Sequence, residues 1–354
     1  MKSKFQFKKY SSIENHYRKD HIQEVRESKG FGDVTEWVVT EKVHGANFSF
    51  VVNEDKTVVV AKRGSVIQPG DNFYPEAVKH VTEKYKKCAL KLFRLVSKLY
   101  QGVRQINIYG ELFGGRYPLE GCEDIKRKPI FNEVLYTPEY DFYAFDIYVY
   151  QDNIETWVTP DVLEKILPEA GFSIYARILF KGTFEQVLEF DTEFGSTLPS
   201  FYNHPPLKNK HHHSDPVINI VEGVVIKPIS NLWIKSGSRV VIKKKNKKFL
   251  EETKPVKVEK VKVNEDQMLL EKTNGVWKDI KNYINMNRLN SVVSKLGDVD
   301  RNIISKAFEA DVIEDFSKDN DSAWNSVTQE GKSLVSKKIR KSGFELMQLS
   351  KTKV

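Results

Sequence analysis

Glu41-Lys42-Val43-His44-Gly45-Ala46-Asn47-Phe48 stands between two runs of strand character. A lysine at a strand end, followed by a glycine turn, can project its amine into a pocket while the side-chain-free backbone lets a phosphate come close. Such an amine becomes a nucleophile when neighbouring cations or loss of solvent lower its pKa. The same eight residues also read as a β-turn with an ordinary exposed lysine, so the rest of the chain has to decide between them.

The elements that must position these residues form two compositions. All 13 prolines lie between Pro69 and Pro255, and the residues beyond contain only Gly275, Gly297, Gly331 and Gly343 as glycines. Before this break, the runs Glu36 to Val39, Asn47 to Asn53, Thr57 to Lys62, Ile106 to Glu111, Asp141 to Tyr150, Gly223 to Lys227 and Arg239 to Lys243 read as strands interleaved with helices. Cys88, Leu92, Leu95, Val96 and Leu99 fall on one helix face, which makes Cys88 a packing residue. With no βαβ alternation, the expected fold is α+β, with antiparallel sheets and flanking helices over residues 1–250. A linker over 251–263 follows. Residues 264–354 form a small all-helical domain, in which Val276, Ile280 and Ile284, then Leu289, Val292, Val293 and Leu296, repeat at helical spacing with Gly297 as a C-terminal cap.

Composition excludes several classes. With 40% hydrophobic and 29% charged residues, the 354-residue chain can build real cores, unlike disordered or fibrous chains. It has no apolar run long enough to span a membrane and no signal-peptide core, so a soluble, cytoplasmic or host-cell cytoplasmic protein is expected. Two cysteines, Cys88 and Cys122, provide neither a disulfide framework nor a four-thiolate zinc site. His211-His212-His213 with Asp215 read as a loop, since adjacent histidines do not converge easily on one ion. The net charge of +8 is concentrated between Lys235 and Lys262, where eleven basic residues face three acidic ones. A polyphosphate is the natural counter-surface for such a segment.

Lys42-Val43-His44-Gly45 resembles the Lys-x-His-Gly form of the signature of covalent nucleotidyltransferases, and its companions follow in the family's order. They are Ala61-Lys62-Arg63, Tyr109-Gly110-Glu111, Asp141-Phe142-Tyr143-Ala144-Phe145-Asp146, Glu222-Gly223-Val224-Val225-Ile226-Lys227-Pro228 and Val241-Ile242-Lys243-Lys244-Lys245. The resemblance is to the nick-sealing RNA ligase 2 family of T-even bacteriophage type. It extends to Phe7-Lys8-Lys9-Tyr10-Ser11-Ser12-Ile13-Glu14-Asn15-His16-Tyr17 and to Asn287-Arg288-Leu289-Asn290-Ser291-Val292-Val293-Ser294-Lys295-Leu296-Gly297.

The resemblance implies that Lys42 attacks the α-phosphorus of ATP and holds AMP as a phosphoramidate. Glu111 suits the ribose hydroxyls, and Phe145 stacks on adenine. Lys243 and Lys245 alternate on a strand and so meet one phosphate from the same side, while Lys244 faces away. Arg63 and Lys227 add charge around phosphates, Arg63 at the 5′-phosphate of a nick. His44 acts near the departing pyrophosphate, and Glu41, Val43 and Asn47 line the pocket. Glu222 is the candidate contact for Mg²⁺ or Mn²⁺. Ala46 departs from the threonine common in relatives, removing a possible hydroxyl contact.

The function implied is ATP-dependent sealing of 3′-hydroxyl/5′-phosphate nicks in duplex RNA or an RNA-containing duplex, through lysyl-AMP and RNA-adenylate. A monomer suffices, with no membrane partner. Arg288, Lys295, Lys337, Lys338 and Arg340 of the tail would clamp the duplex. The alternatives are a DNA ligase, a capping guanylyltransferase, and a non-catalytic duplex-RNA-binding protein.

Overall fold

The computed structural model describes residues 7–119, 127–152, 154–205, 207, 219–250, 269–273, 275–297 and 299–351. The expected linker at 251–263, Cys122, the three adjacent histidines and Asp215 lie outside the described residues. The chain divides into two compact units between Lys248 and Phe249.

The first unit is α+β. Its strands are β1 (Glu14–Asn15), β2 (Trp37–Lys42), β3 (Ala46–Asn53), β4 (Val58–Lys62), β5 (Ser65–Val66), β6 (Val103–Arg116), β7 (Thr137–Gln151), β8 (Glu155–Trp157), β9 (Ile178–Gly182), β10 (Gly223–Pro228) and β11 (Ile242–Lys245). They form a five-stranded sheet ordered β1-β11-β10-β2-β9 and a six-stranded sheet ordered β5-β4-β3-β6-β7-β8. The pairing is antiparallel, except that β1 runs parallel to β11.

Period-two alternation gives each sheet one apolar face. On the six-stranded sheet, Ala46, Phe48, Phe50, Ile106, Ile108, Leu112, Phe142 and Ala144 pack with Val81, Tyr85, Leu92 and Val96 of the helix Pro75–Leu99 and with the helix Pro160–Ala170. On the five-stranded sheet, Trp37, Val39, Val224, Ile226 and Ile242 pack with Val25, Phe184 and Val187. The other faces carry the polar residues of the site.

Several expectations are corrected. The last strand is displaced from Arg239–Lys243 to Ile242–Lys245, because Arg239 is drawn into an ion pair with Asp146. Leu99 is 57% exposed, since the helix ends there and its C-cap leaves the packed face. Cys88 is half-buried, packed against the core, with its thiol 3.7 Å from the Gly171 carbonyl oxygen. Ala46 is fully buried on the core face of β3, so a hydroxyl there would point into the core rather than toward a phosphate.

The second unit, among the described residues, is helical: Trp277–Ile280, Met286–Leu296, Arg301–Asp319, Asp321–Ser326 and Gln329–Lys351. Trp277, Phe308, Val312, Phe316, Val335 and Ile339 form its core. The spacing of Val276, Ile280 and Ile284 predicts one helix. Instead a single turn passes into a 3₁₀ segment, Lys281–Tyr283, because Asn285 is extended and caps the next helix by accepting the Arg288 N–H at 3.0 Å. Gly297 closes that helix, its N–H donating to the Val293 carbonyl. No helix among the described residues is long and apolar enough to cross a membrane.

Candidate active site

Lys42 is the last residue of β2 and Ala46 the first of β3, so Val43, His44 and Gly45 carry the chain from one sheet to the other. A Cβ on Gly45 would lie 2.4 Å from the Leu112 carbonyl oxygen and 2.8 Å from Glu111 Cγ. Glycine is required because β6 approaches too closely for any side chain. Val43 is buried beside it.

Gly223 pairs with Lys42 on one side and with Lys245 on the other, which puts both lysines in one row across the five-stranded sheet with no side chain between them. Glu222, just before that glycine, meets both. Its Oε2 is 2.7 Å from Lys42 Nζ and its Oε1 is 3.0 Å from Lys245 Nζ. His44 Nδ1 is 3.3 Å from the same Oε2. Burial pushes the Glu222 carboxyl upward, but Lys42, Lys245 and His44 outweigh burial and hold it well below the usual carboxylate range. Lys243 shares the face of Lys245 by alternation, opposite Val225 and Asn15. Lys244 points the other way, its ammonium donating to the Leu188 and Phe190 carbonyls at 2.8 Å each.

The six-stranded sheet supplies the second wall. Asn47, Glu111 and Tyr143 stand side by side in register across β3, β6 and β7. Burial pushes the Glu111 carboxyl up to about 7, with Glu222 adding to the rise while Lys42, His44 and Arg63 oppose it. Arg63 follows the end of β4, half-buried, and donates to Ser12 Oγ at 2.9 Å.

The register of β6 against β7 slips between Tyr109 and Gly110, so Tyr109 faces Asp146 while Gly110 faces Ala144. Phe145 is the extra residue of this bulge. A bulge switches the alternation. Ala144 and Ile147 both pack into the core, whereas Phe145 joins the aromatic group of Tyr109, Tyr148 and Trp157 on the opposite face. The Tyr10 ring meets Phe145 edge-on at 5.1 Å. Beside it Asp146 is fully buried and takes Lys227 Nζ at 3.0 Å, Arg239 NH1 at 3.0 Å and the Tyr10 hydroxyl at 2.9 Å. Burial alone would raise the Asp146 carboxyl; the two cations and their hydrogen bonds lower it.

Four sequence assignments change. The Glu41 side chain alternates away from Lys42 onto the opposite sheet face, where it accepts from Ser196 Oγ at 2.6 Å, Thr197 N at 2.8 Å and Thr197 Oγ1 at 2.6 Å. Only its backbone borders the pocket, the carbonyl accepting the Tyr143 hydroxyl at 2.8 Å. Lys227 does not join Lys42 and Lys245, since it lies four residues along β10 from Gly223, about 13 Å away. It is spent on Asp146 and on the Phe145 carbonyl at 2.9 Å, and so fixes the bulge. Among its described residues the basic run does not present all its charge on one surface: Arg239 pairs with Asp146, Lys245 with Glu222, and Lys244 with backbone carbonyls. In the tail, Arg288 is only 2% exposed and bonds Asp311 Oδ2 at 2.7 Å and Asp315 Oδ2 at 2.9 Å, so it is a core strut rather than a clamp. Lys295 pairs with Asp311 and Arg340 with Glu309.

Residue reasoning did not assign Tyr10, Glu133, Tyr136, Asp146 and Arg239 to the site. Asp146 could have been found, because a carboxylate inside an apolar strand requires a buried partner. Glu133 and Tyr136 lie in an irregular segment without periodicity. Glu133 Oε2 is 3.4 Å from His44 Nε2, and the Tyr136 hydroxyl accepts the His44 N–H at 2.8 Å. Burial works against a charged His44, but its pairing with the Glu133 and Glu222 carboxylates prevails and raises its pKa.

Among the described residues, no three His, Cys, Asp or Glu side chains form a metal-holding group. A hard divalent cation that keeps its waters and takes phosphate oxygens needs only one or two protein carboxylates. Glu222, with Glu111 close enough to influence it electrostatically, fits that donor set.

Residues 35–245 match the RNA ligase family, and residues 267–343 match the T4 RNA ligase 2 C-terminal family. Mitochondrial RNA-editing ligase 2 of Trypanosoma brucei brucei is 28% identical over 217 residues, covering 54% of this chain and 50% of the relative. RNA-editing ligase 1 from the same organism is 26% identical over 349 residues, covering 81% and 71%. The chain thus spans half the length of one curated relative and 71% of the other. A Naegleria gruberi RNA ligase with PPi is similar at 20% identity and a TM-score of 0.42, covering 69% of this chain and 57% of that one. Because the first match covers more than half of the sequence and contains the whole Lys42–Glu222–Lys245 site, this chain belongs to the RNA ligase family.

Proposed function

We propose that this chain is an ATP-dependent RNA ligase that seals 3′-hydroxyl/5′-phosphate nicks in duplex RNA. The observation that carries the reading is the row Lys42-Gly223-Lys245, which sets a nucleophilic amine beside a second cation at one carboxylate. In this reading Phe145 offers a ring for adenine, and Glu111 accepts the ribose hydroxyls. Lys243 and Lys245 bear on the α-phosphate, where developing charge is stabilised by fixed cations. The deprotonated Lys42 amine forms an N–P bond to the α-phosphorus as the bond to pyrophosphate breaks. A 5′-phosphate oxygen of RNA then takes the adenylyl group, releasing Lys42, and the 3′-hydroxyl displaces AMP to form the phosphodiester. These steps depend on alignment of in-line attack. A divalent metal at Glu222, Mg²⁺ or Mn²⁺, would supply charge to phosphate oxygens. The family match over residues 35–245 and the trypanosome RNA-editing ligases support this reading.

Residues 264–354 would serve the RNA-joining steps and residues 1–250 the adenylylation, with one chain sufficing. The test is the intact mass of the protein after incubation with ATP or GTP, followed by sealing assays on RNA and DNA nicks. An AMP adduct that disappears in Lys42→Ala, together with sealing of the RNA nick, is expected. A GMP adduct, an adduct retained in Lys42→Ala, or sealing confined to DNA would overturn the proposal.

A further inference from the structure

The segment Phe131–Tyr136 grips His44 from three directions. The Phe131 ring packs on the imidazole at 4.4 Å, the Tyr136 hydroxyl accepts the His44 N–H at 2.8 Å, and Glu133 Oε2 lies 3.4 Å from Nε2. The segment is itself pinned. Asn219 receives the Leu135 N–H at 2.7 Å and returns its amide to the Leu135 carbonyl at 2.7 Å, while the Asn132 N–H reaches Glu133 Oε2 at 3.2 Å. With Nε2 turned toward Glu133 at ion-pair range, the ring presents Nδ1 to Glu222 Oε2 at 3.3 Å, the oxygen that also holds Lys42 Nζ at 2.7 Å. One line of contacts therefore runs from Glu133 through His44 and Glu222 to the nucleophile.

We propose that Glu133 is a positioning residue for the Lys42 chemistry, acting through His44. Without Glu133 the imidazole can turn, and Glu222 loses one of the groups that fix its carboxylate between Lys42 and Lys245. The consequence is confined to steps that make or break the bond between Lys42 and the adenylyl group. Joining of a nick that already carries a 5′-adenylate does not use the Lys42 amine and is spared. This inference rests on the ligase reading above.

The test compares wild type, E133A, E133Q, H44A and the E133A/H44A double variant, with circular dichroism reporting folding. Three quantities are measured: the single-turnover rate of lysyl-AMP formation at saturating ATP, its rate of reversal by pyrophosphate, and sealing of a pre-adenylated RNA nick. E133A should slow formation and reversal about tenfold while sealing the pre-adenylated nick at the wild-type rate. E133Q, which keeps an oxygen acceptor at the same reach, should retain most of the rate. In the H44A background, removing Glu133 should have no further effect. Wild-type adduct rates in E133A, an equal loss in the sealing of the pre-adenylated nick, or a full additional loss in the double variant would overturn the positioning role. If wild type itself forms no adduct, it is the ligase reading that fails.

Discussion

Gly223→Ala tests the geometry of the site more sharply than removal of any charge. A Cβ at this position would lie 2.1 Å from the Lys244 carbonyl oxygen and 2.7 Å from Lys245 Cα, with φ at +153°. Both neighbours belong to β11, so no flexible side chain can yield. Restoring an ordinary 3.4 Å contact to the carbonyl oxygen requires a separation of 1.3 Å between β10 and β11. That movement carries Lys245 away from Glu222, stretching a 3.0 Å ion pair beyond hydrogen-bonding reach. Overpacking of this kind costs about 1–3 kcal/mol, which a two-sheet unit of this size can bear without unfolding. Misplacement of a catalytic group by about 1 Å can cost roughly 10²-fold in rate, or about 2.7 kcal/mol of barrier. The assay is the single-turnover rate of lysyl-AMP formation, read beside thermal unfolding. A folded Gly223→Ala protein that forms the adduct at the wild-type rate would refute the claim that Gly223 sets the spacing between Lys42 and Lys245.

Lys245→Ala should impair adduct formation severely, while Lys244→Ala should leave the adduct rate within a few-fold and instead lower the melting temperature, because the Leu188 and Phe190 carbonyls lose their donor. Equal catalytic loss in both variants would mean that the alternation of β11 is misread. Carbon NMR of the Glu111 carboxyl in the nucleotide-free protein should show a titration near 7. Since the Lys42 charge lowers that pKa, Lys42→Ala should move the midpoint upward, and a downward shift would contradict the placement of the two groups. Arg288→Ala should destabilise the helical unit by about 3 kcal/mol, because it removes the buried cation shared by Asp311 and Asp315. Thermal unfolding of wild type and variant, followed by circular dichroism, checks this, and an unchanged transition would refute the role of Arg288 as a core strut.

Much of this protein is legible in one dimension. The order of the lysine signature and its companions, the α+β character before Pro255, the helical tail and the cap at Gly297 all follow from residue type and spacing. Local sterics and period-two or period-3.6 patterning act over a few neighbours, so a sequence can display them. Alternation also placed Lys243 and Lys245 on one face and Lys244 on the other, because a regular strand obeys it.

What the tertiary structure alone decided are the partners of charged groups. Glu41 adjoins the nucleophile in sequence but faces Ser196 and Thr197, and Arg239 leaves the basic run to join Lys227 in neutralising Asp146. Arg288 looks like a nucleic-acid contact until Asp311 and Asp315 enclose it. Phe145 and Asp146 share the site face only through a one-residue bulge, which no periodicity announces. Glu133 meets His44 across 89 positions of chain. Desolvating a charge is costly enough that a buried ion takes whichever opposite charge the fold brings near, however distant in sequence. The residue types of the site were therefore set by the sequence, and the carboxylate that each cation serves was set by how the two sheets pack.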